Sequence, residues 1–158
     1  MRLKILDSGY SFGTKVLFAL IHAVSRQPVP DAAKLVFVSQ TNECAFCIGA
    51  HTATAARAYH DEAKVSAALS DLETAPIDEP LRATLRLLGK LTAEQAVTAD
   101  DMRAVLAAGV SREQIEDALA VSFAFNTTDR LADAFGFFVP GPKAFEAGAK
   151  FLLRRGYR

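Results

Sequence analysis

Apolar and polar positions along the chain fall at helical spacing almost throughout, and no stretch alternates with the two-residue period of a strand. Ser11 to Gln27 is a mixed apolar run that stops before Pro28 and Pro30, whose fixed φ and missing N–H end helices. Asp31 to Gln40 carries Leu35, Val36 and Val38 and predicts a second helix. An alanine-rich third helix covers Cys44 to Tyr59, and a fourth covers Asp61 to Leu72. Pro76 and Pro80 mark a loop. Beyond it Leu81, Leu85, Leu88 and Leu91 recur at helical spacing, which assigns Arg82, Arg86 and Lys90 to the solvent side. Thr98 with Asp101, and Ser111 with Gln114, read as helix starts, the second at capping-box spacing. The helix opened by Ser111 is expected to run to about Phe138, where Pro140 and Pro142 stop it, and a last helix covers Lys143 to Arg154. The pattern predicts an all-α fold. At 158 residues it is expected to be one domain, 1–158, large enough to bury its own core.

The segment after Ser111 is unusual. Residues 118–125, "ALAVSFAF", are apolar around most of the helix, which marks a buried or interface helix. Asn126, Asp129, Arg130 and Asp133 then form one polar stripe on the apolar rod. Two readings stand side by side: a helix emerging into water with an ordinary Arg130–Asp133 pair, or a buried polar network lining a pocket or a subunit contact.

Composition narrows the function. Apolar residues make up 51% and charged residues 23%, while Lys+Arg and Asp+Glu both total 18, so no net field draws the chain to nucleic acid or an anionic membrane. The N-terminus lacks a basic region followed by an apolar run and a cleavage site. The run Val16 to Val24 is too short to span a bilayer and contains His22. A cytoplasmic protein is expected, with no membrane partner. There structural disulfides are rare, so a close cysteine pair points to catalysis or metal binding. The high apolar fraction, the zero net charge and the 118–125 helix together predict a closed homo-oligomer.

Both cysteines and one of three histidines lie in "NECAFCIGAH", residues 42–51. On a helix Cys44, Cys47 and His51 form one stripe, and Glu43, four residues before Cys47, would share it. Cα atoms three residues apart on a helix are about 5 Å apart, within disulfide range. Cross-linking so short a loop contributes only about 2 kcal/mol, against about 3 for fifteen residues, so the pair suits a redox couple better than a staple. Asn42 as N-cap would place both thiols near the first turn, where the helix dipole favours a thiolate, most of all at Cys44. His51 could exchange a proton with Cys47, and the Glu43 carboxylate could act as a proton acceptor. The alternative is zinc held by Cys44, Cys47 and His51, which lacks a regular fourth ligand unless His60 or His22 supplies one. Ile48, where covalent haem attachment requires histidine, excludes that cofactor. The absence of strands around the motif argues against a thioredoxin fold.

Cys-x-x-Cys-x-x-x-His in an all-helical chain of this size resembles the alkylhydroperoxidase D-like and carboxymuconolactone decarboxylase superfamily, in its smaller peroxidase-related members. "VSQTNECAFCIGAHTATA", "RATLRLLGKLT", "VTADDMRAVLAAGVSREQIEDAL" and "FAFNTTDRLADAFGF" follow it in order and spacing from about Pro30 to Phe138. The resemblance implies a helical bundle with the cysteine motif at a helix N-terminus, assembled as trimers or hexamers. It implies a thiol-dependent peroxidase without cofactor or metal. Cys47 would attack a hydrogen or organic peroxide, Cys44 would resolve the sulfenic acid into a disulfide, and His51 would relay protons. Electrons would come from a thiol or lipoyl-type donor. Attack by Cys47 runs against the dipole argument, which favours Cys44. Two positions depart from the family. Its glutamate twelve residues before the first cysteine is Ala32 here, and its histidine before the second cysteine is Phe46. Asp31 and Glu43 are the nearby candidates for the missing acid. Two rival expectations are a cofactor-free lyase acting on an anionic muconolactone through Arg57 and Arg130, and a non-enzymatic redox-active oligomer.

Overall fold

Local signals set most of the helix ends in the computed structural model, which describes residues 32–155. The expected Ser11–Gln27 helix and Asp31 lie outside the described residues. The helices are α1 (Ala32–Thr41), α2 (Ala45–Tyr59), α3 (Glu62–Ser70), α4 (Glu79–Glu94), α5 (Ala99–Ala107), α6 (Arg112–Ala134) and α7 (Pro142–Arg155), with no strand among the described residues. The all-α expectation holds.

Side-chain caps explain several starts. Asp61 accepts from the Lys64 amide at 2.9 Å to open α3. Thr98 and Asp101 close a full capping box on α5, and Ser111 and Gln114 close another on α6. Two prolines expected to lie outside helices sit in first turns instead. Pro80 is in the first turn of α4, and Pro142 opens α7. The missing N–H costs nothing there, because the first amides of a helix have no intrahelical acceptor. The α6 helix stops four residues short of the expected Phe138. Gly136 takes φ 61°, and the amides of Gly136 and Phe137 turn back to the carbonyls of Asp133 and Ala132. That left-handed turn ends the helix before either proline is reached.

Helix α1 is the central strut. Its Leu35 and Val38 pack with Leu88 of α4 and Ala118, Val121, Ala124 and Phe125 of α6. Its Val36 faces the other way, onto Ala55 of α2 and Val65 of α3. A second cluster joins Ala83 and Leu87 of α4 to Val105, Val110 and Ile115. Helix α7 lies against α2, where Phe145 packs so close to Gly49 that a Cβ there would overlap the ring.

Arg82 corrects the solvent-side assignment. Its side chain is only 12% exposed, and its guanidinium donates to the carbonyls of Leu72, Glu73, Ala75 and Ile77. The loop before α4 thus turns around one fork of donors, which an arginine presents and a lysine does not. Lys90 is half-buried and pairs with Asp101 at 2.7 Å, tying α4 to α5. Among the described residues no helix is long and apolar enough to cross a membrane.

Candidate functional site

The turn between α1 and α2 shapes the site. The amide of Glu43 turns back to the carbonyl of Gln40 at 3.0 Å, and that of Cys44 to Ser39 at 3.2 Å, while Glu43 itself takes φ 59°. This is the left-handed turn that commonly ends a helix, here with a glutamate where glycine is usual. Cys44, next in the chain, is in extended conformation and becomes the N-cap of α2. The expected N-cap, Asn42, belongs to the end of α1 instead. Cys47 falls at the third helical position. The premise that placed Glu43 beside Cys47, a helix running through both, therefore does not apply: Glu43 precedes the helix and is exposed.

Both thiols are free and buried, Cys44 at 0% and Cys47 at 1% exposure. With Ala132 of α6 they form a small cluster against which Phe46 packs, edge-on to Phe137 and Phe145. The position where the resembled family can carry histidine thus holds part of an aromatic cover over the dithiol.

The acidic partner comes from α6. The sulfurs of Cys44 and Cys47 and a carboxylate oxygen of Asp129 all lie within 4.8 Å of one another. Asp129 has no exposed surface. Ser39 Oγ donates to its Oδ1 at 3.1 Å and Asn42 Nδ2 to its Oδ2 at 3.0 Å. Asn42 also donates to Asn126 Oδ1 at 3.2 Å, and Asn126 in turn donates to the Ser122 carbonyl at 3.0 Å. Of the two readings of the polar stripe, the buried network holds for Asn126 and Asp129, while Arg130 and Asp133 are exposed. Sequence reasoning singled out Asp129 but did not join it to the cysteines. The available signal was a polar group inside an apolar helix, since buried polar atoms require partners from elsewhere in the fold.

Electrostatics separate the two thiols. Burial pushes Cys44 up, while the amide and the thiol of Cys47 pull it back and Asp133 adds to the rise. Burial pushes Cys47 far above the ordinary thiol range, and hydrogen bonding to Cys44 and Asp129 raises it further. Cys44 is therefore the easier thiolate, and Cys47 needs a base to lose its proton. Burial also raises Asp129, against the lowering pull of Asn42, Cys47 and Ser39.

His51 is buried, one turn beyond Cys47. Its Nδ1 lies 2.8 Å from the Cys47 carbonyl, which can only accept, so Nδ1 carries a proton. The ring stands edge-on to Phe125 at 4.7 Å. Burial holds its pKa down at about 4, so the imidazole is neutral at pH 7. The three metal-capable groups brought together are Cys44, Cys47 and Asp129, with Asp129 in the place expected of His51. His60, the other described histidine, is the exposed C-cap of α2.

The chain matches no protein-family model and no curated protein. Its all-α fold is similar to that of an alkylhydroperoxidase AhpD core. Among solved structures it is similar to an uncharacterized peroxidase-related protein from Silicibacter sp. TM1040, 22% identical, with a TM-score of 0.73, covering 84% of this chain and 71% of that one. It is similar also to the alkylhydroperoxidase AhpD core of an uncharacterized peroxidase-related protein from Ralstonia eutropha JMP134. That match is 22% identical, with a TM-score of 0.74, covering 87% of this chain and 75% of that one.

Proposed function

We propose that the protein reduces hydrogen or organic peroxides with its dithiol. The observation that carries this reading is the pair of free, buried thiols, Cys44 at the N-cap of α2 and Cys47 one turn in. Cys47 sulfur attacks the peroxide, an S–O bond forms and the O–O bond breaks, giving a sulfenic acid and an alcohol or water. Cys44 then displaces water from that sulfur to close the disulfide. Two electrons leave the thiols, and a small dithiol or a lipoyl-type donor restores them. The peroxidase-related descriptions of both similar structures support the same class. The aromatic cover of Phe46, Phe137 and Phe145 favours small or apolar peroxides that can pass between rings.

The test is peroxide consumption with dihydrolipoamide or dithiothreitol as reductant, with thiols counted before and after one equivalent. Two thiols lost per peroxide supports the reading. Thiols unchanged while peroxide persists overturns it, and slow turnover with reversible disulfide formation would favour a redox-active oligomer without an enzymatic role. The lyase reading has less support, since Arg57 and Arg130, its candidate anion-binding groups, are both exposed. The protein acts as a homo-oligomer in this reading, a trimer or hexamer, which is consistent with Phe123 and Phe138 standing 67% and 76% exposed.

A further inference from the structure

A fully buried carboxylate is costly unless something requires it. Asp129 receives one hydrogen bond on each oxygen, from Ser39 and from Asn42, which fixes the plane of the carboxylate. One of its oxygens also lies within 4.8 Å of the Cys47 sulfur, and that thiol pulls the carboxyl pKa down against the rise from burial. The ionisable groups around this carboxylate are Cys47 and Cys44 on α2 and Asp133 one turn along α6. Ser39 and Asn42, from the α1 side, are uncharged.

We propose that Asp129 is the acid–base residue of the dithiol, filling from α6 the role that Ala32 cannot fill from α1. This rests on the peroxide-reducing reading. As Cys47 sulfur attacks the distal peroxide oxygen, the thiol proton passes to Asp129. The carboxylic acid so formed returns it to the leaving oxygen, which departs as alcohol or water. Asp129 ends the step as the carboxylate, and no other proton donor is consumed. Ser39 and Asn42 are positioning residues, since they touch Asp129 and not the sulfur.

The proposal predicts effects of opposite sign, which a purely structural role would not produce. A carboxylate beside the thiol keeps it protonated at rest, yet speeds the step in which the proton must move. Asp129→Asn should lower single-turnover peroxide reduction about a hundredfold at pH 7. The deficit should narrow as pH rises and solvent hydroxide takes the proton. In a Cys44→Ser background the same change should speed alkylation of Cys47 by iodoacetamide. Asp129→Asn alone sets two amides against each other, so the double variant Asn42→Asp with Asp129→Asn serves as a second form. It restores a donor–acceptor pair while moving the carboxylate one position away from the sulfur. Peroxide reduction that is unchanged, or that rises together with alkylation in folded variants, overturns the proposal. If the wild type ignores peroxide, the peroxidase reading fails instead, and the same variants are compared in thiol–disulfide exchange with oxidised lipoamide. There the attacking thiol must also lose its proton. Slower exchange in both variants retains Asp129 as the acid–base group, and unchanged exchange removes it.

Discussion

His51 Nδ1 donates to the carbonyl of Cys47 at 2.8 Å, so the histidine is tied to the main chain of the cysteine. Its pKa, held at about 4 by burial against an ordinary 6.5, makes its protonation a question of stability. Between those pH values the unfolded chain binds a proton that the folded chain refuses. Stability from this group is therefore complete above about pH 6.5 and falls as pH drops toward about 4, by up to about 3 kcal/mol. Asp129, raised by burial, works in the opposite direction, becoming less costly to bury as it is protonated. Comparing wild type with His51→Gln by denaturant unfolding at pH 7 and pH 5 isolates the histidine. The wild type should lose more stability over that interval, and equal losses would remove His51 from the account.

The order of attack is tested at the thiols. Cys47→Ser should abolish peroxide consumption and leave no sulfenic acid to trap. Cys44→Ser should consume about one equivalent and stall as a trappable sulfenic acid on Cys47. The reverse pattern, read by dimedone labelling and mass spectrometry, would make Cys44 the nucleophile, as its easier ionisation allows.

Glu43 and Asp129 are competing candidates for the missing acid. Exposed and left-handed at φ 59°, Glu43 stands outside the helix that holds the thiols. Glu43→Gln should leave steady-state peroxide turnover within about twofold of wild type, far from the roughly hundredfold loss that removing an acid–base group brings. A large loss in this variant would return the role to Glu43. Glu43→Gly should also raise the melting temperature, because a side chain in the left-handed region costs about 1 kcal/mol relative to glycine.

Arg82 is expected to matter for folding and not for chemistry. Arg82→Ala leaves four loop carbonyls without their donor and should cost about 2 kcal/mol in chemical denaturation. Arg82→Lys should recover only part of that, since an ammonium cannot span the same fork. A loss below about 0.5 kcal/mol, the range of ordinary surface substitutions, would show that water replaces the guanidinium at no cost.

Among the described residues, the sequence by itself determined the helices, most of their ends and the dithiol. These depend on interactions within a few residues: apolar spacing, the two capping boxes, and a Cys-x-x-Cys pair that any helix start would hold together. Local logic failed where a backbone turn intervened. Spacing put Glu43 on the stripe of Cys47, but the left-handed residue ending α1 took it off the helix. Spacing put Arg82 among the solvent-facing cations, but the loop before α4 wrapped around it. The tertiary structure alone decided which acid meets the thiol. Asp129 could be seen as a polar intrusion in an apolar helix, yet its partners Ser39, Asn42 and Cys47 lie on other elements. Only the packing of α6 against α1 and α2, driven by Leu35, Val38, Phe125 and their neighbours, brings them together. The burial of that interface is also what excludes water from the carboxylate and gives it reason to share a proton with Cys47.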